Sequence, residues 1–291
     1  MADVTLLDGG MGQELIHRSG DTPTPLWSTR VMVDRPGLVA EIHRDFTAAG
    51  ATVATTNTYA ILRDRLEGTD VEDAFDTLYA CALSEVAGTA PRVAGSVGPI
   101  GASYRPDLHP APEEAVAIYT EIVSKLAPAV DVLLFETVSC VAHARDALAA
   151  AKPAGKPIWI SVTVDDRDGS RLRSGEPVRD VLGVTEGADA LLINCSTPEV
   201  IPAALAELAA APQPIGAYAN GFENISDGFL SAKPTVDTLT TRCDFSPALY
   251  AEHVMAWVDA GATIVGGCCE VSPAHIAEIA RRLRDAGHTI V

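Results

Sequence analysis

Three cysteines lie at the ends of two short apolar runs and could share one metal ion. Cys195 follows the run at residues 190–194, and the adjacent Cys268 and Cys269 follow a run that ends in two glycines. Zn²⁺ is usually tetrahedral and binds thiolate sulfur well, so three protein thiolates leave one position for substrate or water. Free cysteines are also often small buried hydrophobes. Because all three stand at strand ends, the pattern favours a catalytic zinc site.

The elements that must position these cysteines follow a repeating pattern. Short apolar runs alternate with helical stretches, at residues 4–7, 52–56, 92–96, 132–135, 158–164, 190–194, 215–218 and 263–265. Such runs are typical of parallel strands covered by helices, and eight of them close a (β/α)₈ barrel. No linker divides the chain. We therefore predict an α/β fold, a single TIM barrel domain over residues 1–291, with its active site at the C-terminal rim of the strands.

Helix signals support this register. Ser246, Ser272 and Thr197 each precede a proline, the pattern of a capping hydroxyl before the first helical residue. Spaced apolar residues predict helices over 38–49, 71–87, 112–127 and 142–151. The long irregular stretch at 220–244 follows the seventh strand, on the face where barrel active sites lie, which predicts a substrate loop.

Other polar or flexible residues also stand at strand ends. After strands one, two, four and seven come Asp8, Gly9 and Gly10, then Thr56 and Asn57, then Glu136, and finally Asn220. Glycines leave backbone amides open to a carboxylate, while Asp8 and Glu136 could hold an ammonium group, so together they describe an α-amino acid pocket. The structural alternatives are a tight turn at Gly9-Gly10, a helix cap at Asp8, an ion pair at Glu136, and loop hydrogen bonds at the asparagines.

Composition restricts the partners. The 291 residues include 47% apolar and 21% charged residues, with a formal net charge of −18, which disfavours nucleic acid and anionic membranes. There is no apolar run of transmembrane length and no signal peptide pattern at the start, so we expect a soluble, cytoplasmic protein. Six cysteines without disulfide-scaffold spacing agree with a reducing compartment.

Seven sequence runs resemble the homocysteine S-methyltransferase family over almost the whole chain. They are LLDGGMGQEL, PLWS at residues 25–28, TTNTY, GSVGPIGA, FET, INCS and GGCC. GGCC with an upstream NC is the most specific of them. PLWS is most similar to the branch that uses S-methylmethionine or S-adenosylmethionine. Two positions depart from the family pattern: Ala219 stands where proline is common, and Glu270 where arginine or glycine is usual.

The resemblance implies how the site residues are used. In a (β/α)₈ barrel, Cys195, Cys268 and Cys269 would bind zinc, with the homocysteine sulfur as the fourth ligand. Asp8, Gly9, Gly10 and Met11 would meet the amino acid head group, and Glu136 its ammonium. The implied reaction is methyl transfer from a cationic donor to L-homocysteine, giving methionine, with Zn²⁺ and no organic cofactor. The partners are therefore small molecules.

Several alternatives stay open at this stage. The donor could be betaine or a dimethylsulfonio compound, and another thiol or a selenol could be the acceptor. The chain could also be a subunit that takes its methyl group from a corrinoid or folate partner, or a non-catalytic barrel whose cysteines form a structural zinc site or a redox dithiol. Three aromatic residues, Trp27, Tyr59 and Tyr218, are candidates for cation–π contact with the donor or for packing. The sequence leaves the oligomeric state open.

Overall fold

Eight parallel strands form the core of the fold. The computed structural model of the chain describes residues 1–20, 26, 28–225, 230 and 239–291. Its strands are β1 (Asp3–Leu6), β2 (Val53–Thr55), β3 (Arg92–Val97), β4 (Val132–Val138), β5 (Ile158–Val162), β6 (Ala190–Asn194), β7 (Ile215–Tyr218) and β8 (Ile264–Val265). From β2 to β8 each strand pairs with the next in the chain, and β8 pairs with β1. All eight strand predictions are confirmed, with ends that differ by up to three residues.

The two ends of the sheet meet between β1 and β2. Leu7 and Val53 form a parallel bridge, the Thr52 amide donates to the Leu6 carbonyl at 2.7 Å, and the Asp8 amide donates to the Val53 carbonyl at 3.1 Å. These bonds close the strands into the predicted barrel, with helices around it. The carboxyl ends of the strands therefore share one rim.

A ninth short strand, β9 (Thr289–Ile290), was not predicted. It pairs in parallel with the amino-terminal half of β1, opposite Asp3 and Val4. Two paired residues are too few to give a recognisable pattern. The strand lies at the amino end of β1, so it does not contribute to the rim.

The helices lie mostly where the apolar spacing predicts them. They are α1 (Met11–Ser19), α2 (Ser28–Asp34), α3 (Leu38–Ala49), α4 (Arg63–Leu66), α5 (Phe75–Val86), α6 (Pro112–Leu126), α7 (Val141–Ala151), α8 (Ile201–Leu208), α9 (Pro247–Asp259) and α10 (Pro273–Asp285). The helix predicted over 71–87 is divided, because a 3₁₀ turn at Glu72–Ala74 precedes α5. Between β5 and β6 the chain forms antiparallel bridges and a 3₁₀ helix, Val178–Gly183, instead of an α-helix.

Two of the three predicted caps have the expected hydrogen bonds. Ser246 Oγ accepts from the Leu249 amide at 3.3 Å, and Ser272 forms a capping box with His275, whose Nδ1 accepts from the Ser272 amide at 3.2 Å. The prediction for Thr197 is wrong, because its side chain makes no capping bond and a 3₁₀ turn, Pro198–Val200, separates it from α8. Its amide donates instead to Asp166 Oδ1 at 3.2 Å.

The barrel interior is filled by side chains that support the rim from below. Ten buried residues form this cluster: Leu7, Val53, Ala94, Val132, Leu134, Trp159, Ala190, Leu192, Tyr218 and Ile264. Cys268 packs against the cluster. A larger layer between strands and helices surrounds the barrel. In the described parts of the chain, no helix combines the length and apolar character needed to cross a membrane.

Candidate active site

The structure brings the three predicted cysteines together at the rim. The sulfur atoms of Cys195, Cys268 and Cys269 all lie within 4.8 Å of one another. Cys195 and Cys268 are paired as a disulfide, with their Cα atoms 5.9 Å apart, and Cys269 is a free thiol. Coordination of a metal by all three requires the reduced form, because only thiolates are ligands.

The chain segments around the cysteines hold them by backbone contacts. The Cys268 amide donates to the Ala219 carbonyl at 3.0 Å, and the Cys269 carbonyl accepts from the Gly221 amide at 2.9 Å. Glycine is required at position 267, since a Cβ there would lie 2.0 Å from a Val271 methyl group. The segment after β7 therefore fixes the turn that carries the cysteine pair.

The surroundings of the Cys269 thiol favour its protonated form unless a cation is present. Burial raises the pKa of Cys269 to about 12, and the Glu270 and Glu136 carboxyl groups raise it further. A bound dication reverses this preference, because it stabilises the thiolate directly. Three neighbouring sulfurs, one buried and two partly buried, therefore fit a thiophilic divalent metal such as zinc.

A cavity of about 110 Å³ lies beside the cysteines in the barrel mouth. Its lining contains all but one of the predicted site residues: Asp8, Gly9, Gly10, Met11, Thr56, Asn57, Glu136, Cys195, Cys268 and Cys269. Asn220 does not line it. Asn220 is buried, its Oδ1 accepts from the Phe222 amide at 3.2 Å, and its Nδ2 has no hydrogen-bond partner among the described residues.

Asp8 presents a buried carboxyl group to this cavity. Its two oxygens accept from the backbone amide and the hydroxyl of Thr55, each at 2.7 Å. Burial nevertheless raises the pKa of Asp8 to about 7; the Glu136 carboxyl adds to the rise, and the Thr55 hydrogen bonds oppose it. A cationic ligand would restore the ionised form, since an opposite charge favours it.

Glu136 provides the second carboxyl group, from an irregularity in β4. The pairing of β4 with β5 shifts register between Phe135 and Val138, and such bulges re-aim side chains. Glu136 Oε1 accepts from the Tyr218 hydroxyl at 2.9 Å, and Oε2 accepts from the Ser96 hydroxyl. Burial raises the pKa of Glu136, and these two hydrogen bonds oppose the rise.

Not every predicted contact group is open to a ligand. The Gly10 amide already donates to the Val271 carbonyl at 2.8 Å, and the Met11 amide to the Gly9 carbonyl at 2.9 Å. These two amides therefore serve the fold rather than an open carboxylate site. Asn57 Nδ2 donates to the Ser28 carbonyl at 3.4 Å, and Thr56 Oγ1 accepts from the Ser96 amide at 2.9 Å.

Of the three aromatic candidates, Tyr59 and Tyr218 line the cavity, whereas Trp27, together with Pro25 of the PLWS run, lies outside the described residues. Nearly half of the predicted substrate loop, residues 226–229 and 231–238, also lies outside them. Sequence reasoning missed Tyr104, a buried lining residue with φ +63°. It stands seven residues beyond the end of β3, where no strand-end pattern could indicate it.

The family model and the similar proteins of known name all point to the same family. A family model described as homocysteine S-methyltransferase matches residues 5–283. The homocysteine S-methyltransferase of Escherichia coli (strain K12) is 34% identical, covering 96% of this chain and 95% of its own length. Homocysteine S-methyltransferase YbgG of Bacillus subtilis (strain 168) is 27% identical, covering 94% of this chain and 93% of its own.

The fold comparison agrees with the sequence comparison. Crystal structures of the homocysteine methyltransferase MmuM from Escherichia coli match with a TM-score of 0.78 at 30% identity, covering 96% of both chains, in a metallated form and in an oxidized form. The similarity therefore covers nearly the full length of each protein.

Proposed function

The chain belongs to the homocysteine S-methyltransferase family, and we propose that its barrel mouth transfers a methyl group from a cationic donor to the thiol of L-homocysteine, giving methionine. One observation in this structure supports the proposal most directly. Three convergent sulfurs border the cavity into which the Asp8 and Glu136 carboxyl groups face. A metal site and an ammonium site thus border the same cavity.

The two carboxyl groups bind and orient the acceptor. The homocysteine ammonium lies against Asp8 and Glu136, where its charge favours their ionised forms. Thr55 holds the Asp8 carboxylate through two hydrogen bonds, while Ser96 and Tyr218 hold Glu136, so neither group needs to reorganise. The acceptor side chain then points toward the cysteines.

The metal is proposed to be Zn²⁺, held by Cys195, Cys268 and Cys269. Zn²⁺ bound there would lower the pKa of the acceptor thiol and so supply a thiolate nucleophile at neutral pH. The sulfur lone pair forms a bond to the donor methyl carbon while the carbon–sulfonium bond breaks, and that electron pair leaves with a neutral thioether. The acceptor proton is released to solvent, and no side chain has to protonate the leaving group.

The proposed donor is a sulfonium compound, S-methylmethionine or S-adenosylmethionine. The cavity suits a cation, because it has two carboxyl groups and the rings of Tyr59, Tyr104 and Tyr218 in its wall. We also propose that residues 1–291 act as one barrel domain. The matched region spans residues 5–283, and β9 near the end of the chain pairs with β1 near its start, which supports that proposal.

The test measures methionine formation by mass spectrometry with zinc-loaded chain, homocysteine and each candidate donor in separate reactions. Cys268→Ala is compared with Cys243→Ala, which removes an exposed thiol outside the trio. We expect about one zinc per chain and turnover in the unchanged and Cys243→Ala proteins, and loss of both in Cys268→Ala. Full zinc content and full activity in Cys268→Ala would overturn the proposal. Zinc binding without turnover from any donor would favour a partner-supplied methyl group.

A further inference from the structure

A largely buried ion pair contacts the backbone of Cys195. Arg173 and Asp166 are joined by two parallel hydrogen bonds, Nη1 to Oδ2 at 2.9 Å and Nη2 to Oδ1 at 2.8 Å. Their side chains are only 10% and 8% exposed. Both come from the segment between β5 and β6 that forms antiparallel bridges in place of a helix. Sequence patterns gave no indication of this pair.

The remaining N–H donors of Arg173 and the flat face of its guanidinium group contact residues at the rim of the barrel. Its Nη2 donates to the carbonyl oxygen of Cys195 at 3.4 Å, and its Nε donates to Thr163 Oγ1 at 3.3 Å. The guanidinium carbon lies 5.1 Å from the centre of the Tyr104 ring. One side chain therefore contacts a proposed metal ligand and an aromatic wall of the cavity at the same time.

The Asp166 carboxylate also accepts hydrogen bonds from two backbone amides. Its Oδ1 also accepts from the Thr197 amide at 3.2 Å, two residues after Cys195, and its Oδ2 accepts from the Ile225 amide at 3.0 Å, in the segment after β7. Each carboxylate oxygen thus has two donors. The pair joins the segments that follow β3, β5, β6 and β7.

Two of the contacted residues have unfavourable backbone conformations. Cys195 has φ +47° and Tyr104 has φ +63°, in the left-handed region that side chains other than glycine rarely adopt. Each such conformation costs on the order of 1–3 kcal/mol of folding free energy and persists only where the surrounding structure holds the residue in it. Arg173 contacts both residues, so it is placed to maintain both conformations.

We propose that the Arg173–Asp166 ion pair is the positioning unit of the metal centre, which holds Cys195 and Tyr104 in place and so sets the metal affinity of the cysteine trio. The inference rests on the proposed function in that the trio binds zinc. Arginine suits this position because its rigid fork binds a carboxylate with two bonds while its face packs on a ring. Lysine has neither property.

The chain offers a matched control. Arg63 of α4 also makes paired bonds to a carboxylate, that of Glu121 in α6, at 3.0 and 2.7 Å, and its guanidinium lies 4.2 Å from the centre of the Phe75 ring. These side chains are 59% and 37% exposed and lie among the outer helices. Arg63→Lys therefore makes the same chemical change away from the cysteines.

The experiment compares Arg173→Lys and Arg173→Met with Arg63→Lys in the full chain. Zinc affinity is measured by competition with a coloured chelator, and the absorption of the Co²⁺-substituted protein reports the thiolate ligands. We expect Arg173→Lys to raise the zinc dissociation constant about tenfold or more and to weaken the thiolate-to-cobalt band, as is typical when a group that orients a ligand is lost. Arg63→Lys should match the unchanged chain in both measurements.

The outcomes separate this inference from the function on which it rests. If Arg173→Lys binds zinc within twofold of the unchanged chain with the same cobalt spectrum, the pair is only structural, even if the melting temperature falls. Should Arg173→Met fail to fold, the lysine variant decides the question. Failure of the unchanged chain to bind zinc overturns the proposed metal site before any variant is compared, and this inference with it.

Discussion

Asn194 holds Thr137 through two hydrogen bonds across the barrel mouth. The Thr137 amide donates to Asn194 Oδ1 at 2.9 Å, and Asn194 Nδ2 donates to Thr137 Oγ1 at 3.2 Å. Thr137 has φ +57°, which is strained for a β-branched residue. Because Thr137 follows Glu136 and Asn194 precedes Cys195, these bonds connect the proposed ammonium site with the proposed metal site.

Replacing this asparagine should affect substrate binding as well as stability. Asn194→Ala leaves the buried Thr137 amide and the Ser161 hydroxyl without their shared acceptor. An unsatisfied buried group costs about 1–3 kcal/mol, so the free energy of unfolding should fall by at least that amount. We also expect a higher KM for homocysteine, since Glu136 loses its fixed position. Urea denaturation and steady-state kinetics test the two effects. A stability loss with KM unchanged within twofold would contradict the connection.

The close approach of Gly10 to the cysteine turn gives a second prediction. A Cβ at position 10 would lie 2.8 Å from the Cys268 carbonyl oxygen and 3.1 Å from the Glu270 amide nitrogen. Gly10→Ala must therefore displace backbone on one side, at a cost of about 1–3 kcal/mol. We expect weaker zinc binding and weaker homocysteine binding together, measured by chelator competition and calorimetry.

Gly183→Ala is the matched control for that substitution. A Cβ at position 183 would meet nothing within 4 Å, so this variant should bind zinc and homocysteine like the unchanged chain. Equal zinc affinity in Gly10→Ala and Gly183→Ala would show that the turn tolerates the extra methyl group.

The residues at the strand ends were predictable because every residue that follows a strand of a parallel barrel lies at the same rim. Cys195 and Cys268 are 73 residues apart, yet both follow the end of a strand, and parallel strands bring their carboxyl ends to one rim. The same argument placed Asp8 and Glu136 beside them. Asp8 needs only the strand count and register, which the apolar runs indicate. Glu136 lies within β4 at a shift in register that the apolar runs do not indicate.

The groups that the sequence did not indicate lie in loops or depend on backbone geometry. Tyr104 and Arg173 reach the site from segments whose paths no periodicity describes. The left-handed conformations of Thr137 and Cys195 occur at residue types that rarely adopt them, so the sequence gives no reason to expect them there. The Gly10 amide was predicted to be open, but its bond to Val271 depends on how the first loop packs on the eighth.

Ionisation of Asp8 should make homocysteine binding depend on pH. Because burial raises the pKa of Asp8 to about 7, a large part of this carboxyl group is protonated at pH 6 and most is ionised at pH 8. The substrate ammonium requires the carboxylate, so KM for homocysteine should fall as pH rises through about 7. In Asp8→Asn the KM should be higher and this part of the pH dependence should be absent. Identical profiles for the two proteins would contradict the role of Asp8.

The same group should destabilise the unliganded chain at high pH. The pKa of Asp8 is about 7 when folded, against about 4 for an unfolded chain, so the folded state binds the extra proton between those values. Its contribution to stability is therefore complete below about pH 4 and is lost as pH rises through about 7. At about 1.4 kcal/mol per pKa unit this amounts to a few kcal/mol. The difference in unfolding free energy between the unchanged and Asp8→Asn chains, measured at pH 5 and pH 8, should shift in favour of Asp8→Asn at pH 8.

Oxidation should remove the metal site reversibly. Cys195 and Cys268 are paired as a disulfide in the structure, and a disulfide sulfur is not a thiolate ligand, so the oxidised trio retains only Cys269. A mild oxidant applied to the metal-free chain should remove two of its six titratable thiols and abolish both zinc uptake and methyl transfer, and a thiol reductant should restore them. Zinc-loaded chain should react more slowly, because its thiolates are coordinated. Peptide mapping should locate the bond between residues 195 and 268. Undiminished zinc uptake by chain in which that bond has formed would show that Cys195 and Cys268 are not the ligands proposed here.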